Sequence, residues 1–268
     1  MEPSVRELEA RRSPAVLALH RWPRPAELAV HETPAAAAVF HLRLLAVPAL
    51  VRGDGVLIAL ERKDAALLAL LAVDGPTSRS RAAALLWPDA ESQKARNSLR
   101  QRLFRLRRAA GSDIVEESAA LALASGVVHD VASVRGQLAQ DPAAAAGEFL
   151  GTFGYEDCAE LEDWVRAARE RFHGQRRDAL AAAAAEEEAA GHIARALVLA
   201  ERLVADEPLS EQAHRLLMRL HYRRGDRSAA LAAYARCEQW LRKELDAAPS
   251  VESRELAQLI ERSGELPG

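Results

Sequence analysis

Residues 91–111 read ESQKARNSLRQRLFRLRRAAG, with seven basic side chains (Lys94, Arg96, Arg100, Arg102, Arg105, Arg107, Arg108) and one acid, Glu91. Ala95, Leu99, Leu103, Leu106 and Ala110 recur at steps of three and four, the apolar stripe of an amphipathic helix. The opposite face carries Lys94, Asn97, Gln101, Phe104, Arg105 and Arg108, and Arg96, Arg100 and Arg107 flank it on the side nearer Leu103. A helix with leucines toward the protein and Arg, Asn and Gln outward suits a DNA major groove. There Arg pairs with guanine edges, Asn and Gln with adenine edges, and the remaining cations with phosphates. A merely solvated helix face usually mixes charge signs, and this one does not.

The elements on either side fit the same purpose. Residues 62–73 (RKDAALLALLAV) predict a helix with a broad apolar face, stopped at Asp74-Gly75-Pro76. Thr77 or Ser78 is placed to cap a second, shorter helix that turns Ala82, Leu85 and Leu86 inward. Pro88 ends it just after Trp87, and Asp89 or Ser92 stands where the basic helix wants a cap. Residues 41–47 (HLRLLAV) and 56–60 (VLIAL) predict two strands around Gly53, Asp54 and Gly55. After Gly111, residues 114–116 and 120–123 predict a hairpin with Glu117-Ser118 near its tip. Strand, strand, helix, helix, basic helix, hairpin is the order of a winged helix-turn-helix, in which Trp87 is a core residue fixing the angle between helices.

From Val127 the composition turns to Ala, Leu, Glu and Arg with helical period. Residues 137–150 predict one element, broken at Asp141-Pro142 and closed by Gly151, and 160–190 a long amphipathic helix. Helices follow near 192–205, 210–224, 226–245 and 251–262. Gly191, Ala196 and Pro208 lie at offsets 0, 5 and 17; Gly225, Ala230 and Tyr234 lie at offsets 0, 5 and 9 from a glycine 34 residues later. Small residues at offset 5 let antiparallel helices approach, and the period is that of tetratricopeptide repeats. The expected fold is therefore mainly α. A winged helix-turn-helix (α+β) at 39–126 is followed by an all-α tetratricopeptide-like domain at 127–268. Residues 1–38, with Pro3, Pro14, Pro23, Pro25 and Pro34, predict a disordered extension with a short helix near 5–12.

The net charge of −3 hides an asymmetry. Residues 1–110 hold 18 Lys and Arg against 11 Asp and Glu; residues 111–268 hold 18 against 28. A basic front and an acidic rear suit a polyanion reader joined to a domain that avoids the polyanion. Cys158 and Cys237 form neither a metal spacing nor a disulfide framework and predict reduced thiols. Without an apolar run of membrane length or a signal-peptide segment, the chain is expected to be cytoplasmic, away from membranes.

These residues resemble the short form of the Streptomyces antibiotic regulatory protein (SARP) family of bacterial transcriptional activators, over roughly residues 41–260. The front half matches at Arg62-Lys63, Leu85-Leu86-Trp87-Pro88-Asp89, Ala95-Arg96-Asn97-Ser98-Leu99-Arg100-Gln101 and Leu103-x-x-Leu106-Arg107-Arg108. The rear half resembles the bacterial transcriptional activation domain. It matches at Asp130, Gly147-Glu148-Phe149-Leu150-Gly151, Trp164 with Arg169-Glu170-Arg171, and Pro208 through His214. Further matches are Leu216-Leu217-Met218, Gly225-Asp226-Arg227 with Ala230-Leu231, Tyr234 and Pro249-Ser250. The resemblance implies a sequence-specific activator that binds direct-repeat operators as side-by-side protomers and recruits RNA polymerase. Carried over by position, base readers are drawn from Asn97, Arg100, Gln101, Phe104 and Arg105. Arg79, Arg81, Lys94, Arg96 and Arg108 are assigned to phosphates. Glu116 and Glu117 in the wing depart from what a minor-groove contact wants. Residues 1–38 match nothing in the family. Neither the GxxxxGK[ST] loop of the long forms nor a preceding receiver domain is found.

An enzyme is not expected. The eight histidines are scattered without a ligand spacing, Glu186-Glu187-Glu188 sits among alanines, and Cys158 and His173 have no third partner. Neither a cofactor nor a metal is implied. The alternative is a tetratricopeptide-type interaction scaffold without DNA binding, against which the basic front and its nearly acid-free Arg helix speak. A repressor is a third possibility, since a bound helix-turn-helix does not show its sign.

Overall fold

The computed structural model describes residues 40–132 and 147–263. The predicted extension at 1–38, and most of the element predicted at 137–150, lie outside these. In chain order the front half runs β1 (Phe40–Arg43), β2 (Ala49–Arg52), β3 (Leu57–Ala59), α1 (Arg62–Val73), α2 (Arg79–Leu86) and α3 (Ser92–Ala110). It closes with β4 (Val115–Glu117), β5 (Leu121–Leu123) and β6 (Val127–His129). The rear half is α4 (Ala159–Ala189), α5 (Ile193–Asp206), α6 (Glu211–Arg223), α7 (Arg227–Leu245) and α8 (Val251–Arg262). This is a winged helix-turn-helix followed by a helical repeat domain.

Two strands differ from expectation. The first predicted strand stops at Arg43, because Ala46 turns left-handed (φ 70°) and Pro48 has no amide to continue a ladder. The chain then re-enters the sheet as β2, which is antiparallel to β1 and joins β3 through the predicted Gly53-Asp54-Gly55 turn. The second difference is β6. Helical composition begins at Val127, yet residues 127–129 lie parallel to β1 and give the sheet order β3-β2-β1-β6. β4 and β5 form a separate two-stranded wing with Val115 opposite Leu123.

α1 is the hub of the front half: every residue from 64 to 71 is buried, as its all-round apolar sequence requires. Of the two candidate caps for α2, Ser78 takes the role, its Oγ accepting from the Arg81 amide at 3.2 Å. Thr77 instead pairs through its backbone with Leu121 of the wing. Neither Asp89 nor Ser92 caps α3. Ser92 is already inside the helix, Glu91 occupies the cap position without a side-chain bond, and its negative charge suits the helix N-terminus.

The two halves share one hydrophobic core. Tyr155 is buried and donates its hydroxyl to the Arg62 carbonyl at 2.9 Å, while the Arg62 guanidinium grips Asp157 and the Gly154 carbonyl. The Cys158 thiol reaches the Leu86 carbonyl at the end of α2, 3.6 Å away. Residues 147–151 are not helical: they run against the β1–β2 connection, with Leu45 bridging Phe149. Leu150 N–H donates to Leu44 O at 2.7 Å and Ala46 N–H to Glu148 O at 3.0 Å. Arg169 of α4 then donates to the carbonyls of Phe149, Gly151 and Phe153 at 2.9–3.0 Å. Asp130 accepts the amides of Leu44 and Leu45 at 2.9 Å; burial raises its pKa even so.

In the rear half each helix packs on its chain neighbours, as in a solenoid. Gly191 and Gly225 occupy the same left-handed position after α4 and α6, at φ 79° and 83°. Ala196 and Ala230, five residues on, are fully buried where the helices meet. Asp226 and Ser250 cap α7 and α8, with the Asp226 carboxylate accepting the Ala229 amide. Cys158 and Cys237 are both buried free thiols.

His214 and His221 of α6 are buried, and His129 of β6 is half-buried; burial lowers the pKa of all three. The folded state then takes up protons less readily than the unfolded chain, so the native state is favoured at neutral pH. That advantage is lost as pH falls through the unfolded histidine value near ~6.5 toward the depressed folded ones. Urea midpoints measured from pH 7.5 to 5 should fall, and His214→Gln should flatten part of the slope. A midpoint that rises over this range would contradict neutral burial of these rings.

Candidate nucleic-acid interface

α3 buries Ala95, Leu99, Leu103, Leu106 and Ala110, the five positions of the predicted stripe. Gly111 ends it in the left-handed conformation (φ 78°) that glycine adopts without penalty, and Arg107 and Arg108 stand in its last turn where the helix dipole favours cations. With the stripe packed inward, Lys94, Arg96, Asn97, Arg100, Gln101, Phe104, Arg105 and Arg108 are all exposed. Among the described residues, Lys94, Arg96, Arg100, Arg105 and Arg108 form no ion pair within the protein. The result is a band of five cations, two amide side chains and one aromatic ring along a 19-residue helix.

The two predicted phosphate contacts on α2 are placed differently. Arg79 pairs with Glu117 of the wing at 3.2 Å and donates to the Ser118 carbonyl at 2.8 Å. Arg81 pairs with Asp74 at 3.2 Å. Both pairs are exposed, and such pairs contribute so little that a phosphate can replace the carboxylate. The Arg79 pair also answers the charge of Glu117 and holds the wing tip against the start of α2; Glu116 stays exposed. Arg107, which flanks the band, pairs with Asp113 at 3.0 Å.

Arg102 is the basic residue whose role sequence reasoning missed. Its side chain is only 16% exposed and contacts Glu61 at 2.6 Å and Asp64 at 3.1 Å, at the start of α1. Burial raises the Asp64 pKa, with Arg102 offsetting part of the rise, whereas hydrogen bonding to Arg102 lowers that of Glu61. A signal existed: Arg102 lies three residues after Leu99 and four before Leu106, on the edge of the inward stripe. Lys63 is a second buttress, donating to the Leu86 carbonyl at 2.6 Å and lying 5.2 Å from the Trp87 ring centre. The turn between α2 and α3 is thus fixed from α1, with Trp87 packed on the core as expected.

Comparison with known proteins identifies the rear half. Residues 129–261 match the bacterial transcriptional activator domain. The rear half is a bacterial transcriptional activator domain, in keeping with the resemblance to the SARP-type activators. A solved structure of Mycobacterium tuberculosis EmbR, in complex with a low-affinity phosphopeptide, resembles this chain in fold. The TM-score is 0.57 at 20% sequence identity, covering 86% of this chain and 67% of that one. No curated protein matches. No helix among the described residues is long and apolar enough to cross a membrane. No group of three or more His, Cys, Asp or Glu among them is placed to hold a metal.

Proposed function

We propose that this activator binds double-stranded DNA with α3 in the major groove. Asn97, Arg100, Gln101, Phe104 and Arg105 are drawn on for base contacts; Lys94, Arg96, Arg108, Arg79 and Arg81 hold phosphates. The operator is a direct repeat, two protomers bind it side by side, and the bound protein recruits RNA polymerase. Residues 39–126 do the reading and 127–268 the recruiting and mutual contact, with the shared core at Arg62, Tyr155 and Arg169 keeping the two in fixed relation. The observation that carries this reading is the exposed band on α3, whose five cations form no ion pair with any described residue. A solvated helix would pair such charges along its own surface.

The test is binding to DNA upstream of the protein's own and neighbouring genes, at several salt concentrations. Phosphate contacts predict a steep fall in affinity with salt, and Lys94→Ala should flatten the log–log slope by about 1. Arg100→Ala should cost about 1–3 kcal/mol on the true site and much less on random DNA. Protection of two equal half-sites on one face of the duplex is expected. Sedimentation showing one protomer per two-repeat operator would sink the side-by-side arrangement. If no duplex is bound in a salt-sensitive way, α3 is a solvated face and the chain is an interaction scaffold.

A further inference from the structure

Among the described residues, Phe104 is the one large apolar side chain that α3 turns to solvent, at 65% exposure. Its helix neighbours at three and four residues' distance are Arg100, Gln101, Arg107 and Arg108, yet among the described residues no guanidinium lies over the ring and no second ring stacks on it. The α3 residues that serve the core are accounted for by the buried stripe, so packing against the described residues does not explain an aromatic here. An exposed ring in the middle of a cationic band is poorly matched to water. It becomes favourable when a partner covers it with apolar surface.

The edges of base pairs in the major groove are polar with one exception, the 5-methyl group of thymine. We infer that Phe104 is a specificity-determining residue that packs on a thymine methyl in each operator half-site. The inference rests on the DNA-binding reading above. Gln101 stands one turn earlier on the same face, about 4.5 Å along the helix axis. Base pairs step by about 3.4 Å, so the Gln101 amide and the Phe104 ring address the same or adjacent base pairs. An amide suited to adenine beside a ring suited to thymine makes this part of the half-site an A·T reader.

The experiment uses the full chain and an operator duplex that it selects from a random-sequence pool. Each thymine is replaced singly by deoxyuridine, which removes the methyl and keeps every hydrogen-bonding group. For the wild type, one thymine per half-site should be sensitive, losing about four- to tenfold in affinity. Phe104→Ala should bind the unmodified duplex with a comparable loss, and the same uracil should then change its affinity by less than about twofold. Phe104 is exposed, so the variant is expected to fold, and the uracil scan on the wild type needs no variant. The inference is overturned if no uracil weakens the wild type, or if the sensitive one weakens Phe104→Ala equally. It is also overturned if Phe104→Ala only lowers occupancy of the second half-site, for then the ring meets a neighbouring protomer. Failure to select any duplex would instead remove the DNA-binding reading, before a uracil is introduced.

Discussion

Arg102→Ala should cost about 3 kcal/mol of folding stability at pH 7.5, although Arg102 belongs to the same basic run as the exposed residues of α3. Its guanidinium is the near partner of Asp64, whose side chain is 12% exposed within the most buried helix of the front half. Truncation leaves that carboxylate in a poorly solvating site, and an uncompensated buried charge is the costly outcome of breaking an ion pair. The carboxyl then escapes by protonating. Burial already raises its pKa with Arg102 in place, and loss of the cation raises it further. A raised folded pKa means that the penalty is present above that pKa and fades as pH falls through it. The deficit of Arg102→Ala relative to wild type should therefore shrink between pH 7.5 and 5. Arg100→Ala, two residues away and exposed, should lie within about 0.5 kcal/mol of wild type at both pH values. Urea unfolding of the three proteins separates the two roles. Equal losses for Arg100→Ala and Arg102→Ala, or a deficit for Arg102→Ala that does not change with pH, would refute the assignment.

That contrast also shows what periodicity can and cannot reveal. The inward stripe of α3 was legible because five small or aliphatic residues repeat at helical spacing, and all five are buried. The rear helices were legible for the same reason, to within a residue or two at their ends. Gly191 and Gly225 marked the repeat because both occupy a backbone conformation in which glycine has no side-chain penalty. Long-range pairing was not legible. β2 and β6 are short strands whose local preference says little; they exist because β1 offers a free edge on each side. The same holds for Gly147 to Gly151, where glycine punctuation suggested the end of a helix. The actual partner is a loop about a hundred residues earlier in the chain. In the band on α3, exposure followed from the period, but the pairing of Arg79 with the wing and of Arg81 with Asp74 depends on elements brought together by the fold.

The loop behind those two glycines yields the other large effect expected. Gly151→Ala should destabilise the chain by about 3 kcal/mol or more, while Gly191→Ala should cost only about 1–2. Both positions have positive φ, 54° and 79°, so both substitutions carry the left-handed penalty of a residue with a Cβ. They differ in surroundings. A Cβ on Gly191 would meet nothing within 4 Å, whereas one on Gly151 would collide with the Ala46 carbonyl oxygen. That oxygen is backbone and cannot swing aside. Ala46 is itself left-handed, and hydrogen bonds from Leu150 to Leu44 and from Ala46 to Glu148 fix it. Yielding would also drag the Gly151 carbonyl away from Arg169, which holds three carbonyls of this loop from α4. The damage would therefore reach the contact between the front and rear halves, and under the proposed function loss of rigidity there should lower transcription more than DNA affinity. Thermal unfolding of the two variants supplies the decisive comparison. If Gly151→Ala costs no more than Gly191→Ala, the Ala46 loop gives way freely and does not fix one half of the protein against the other.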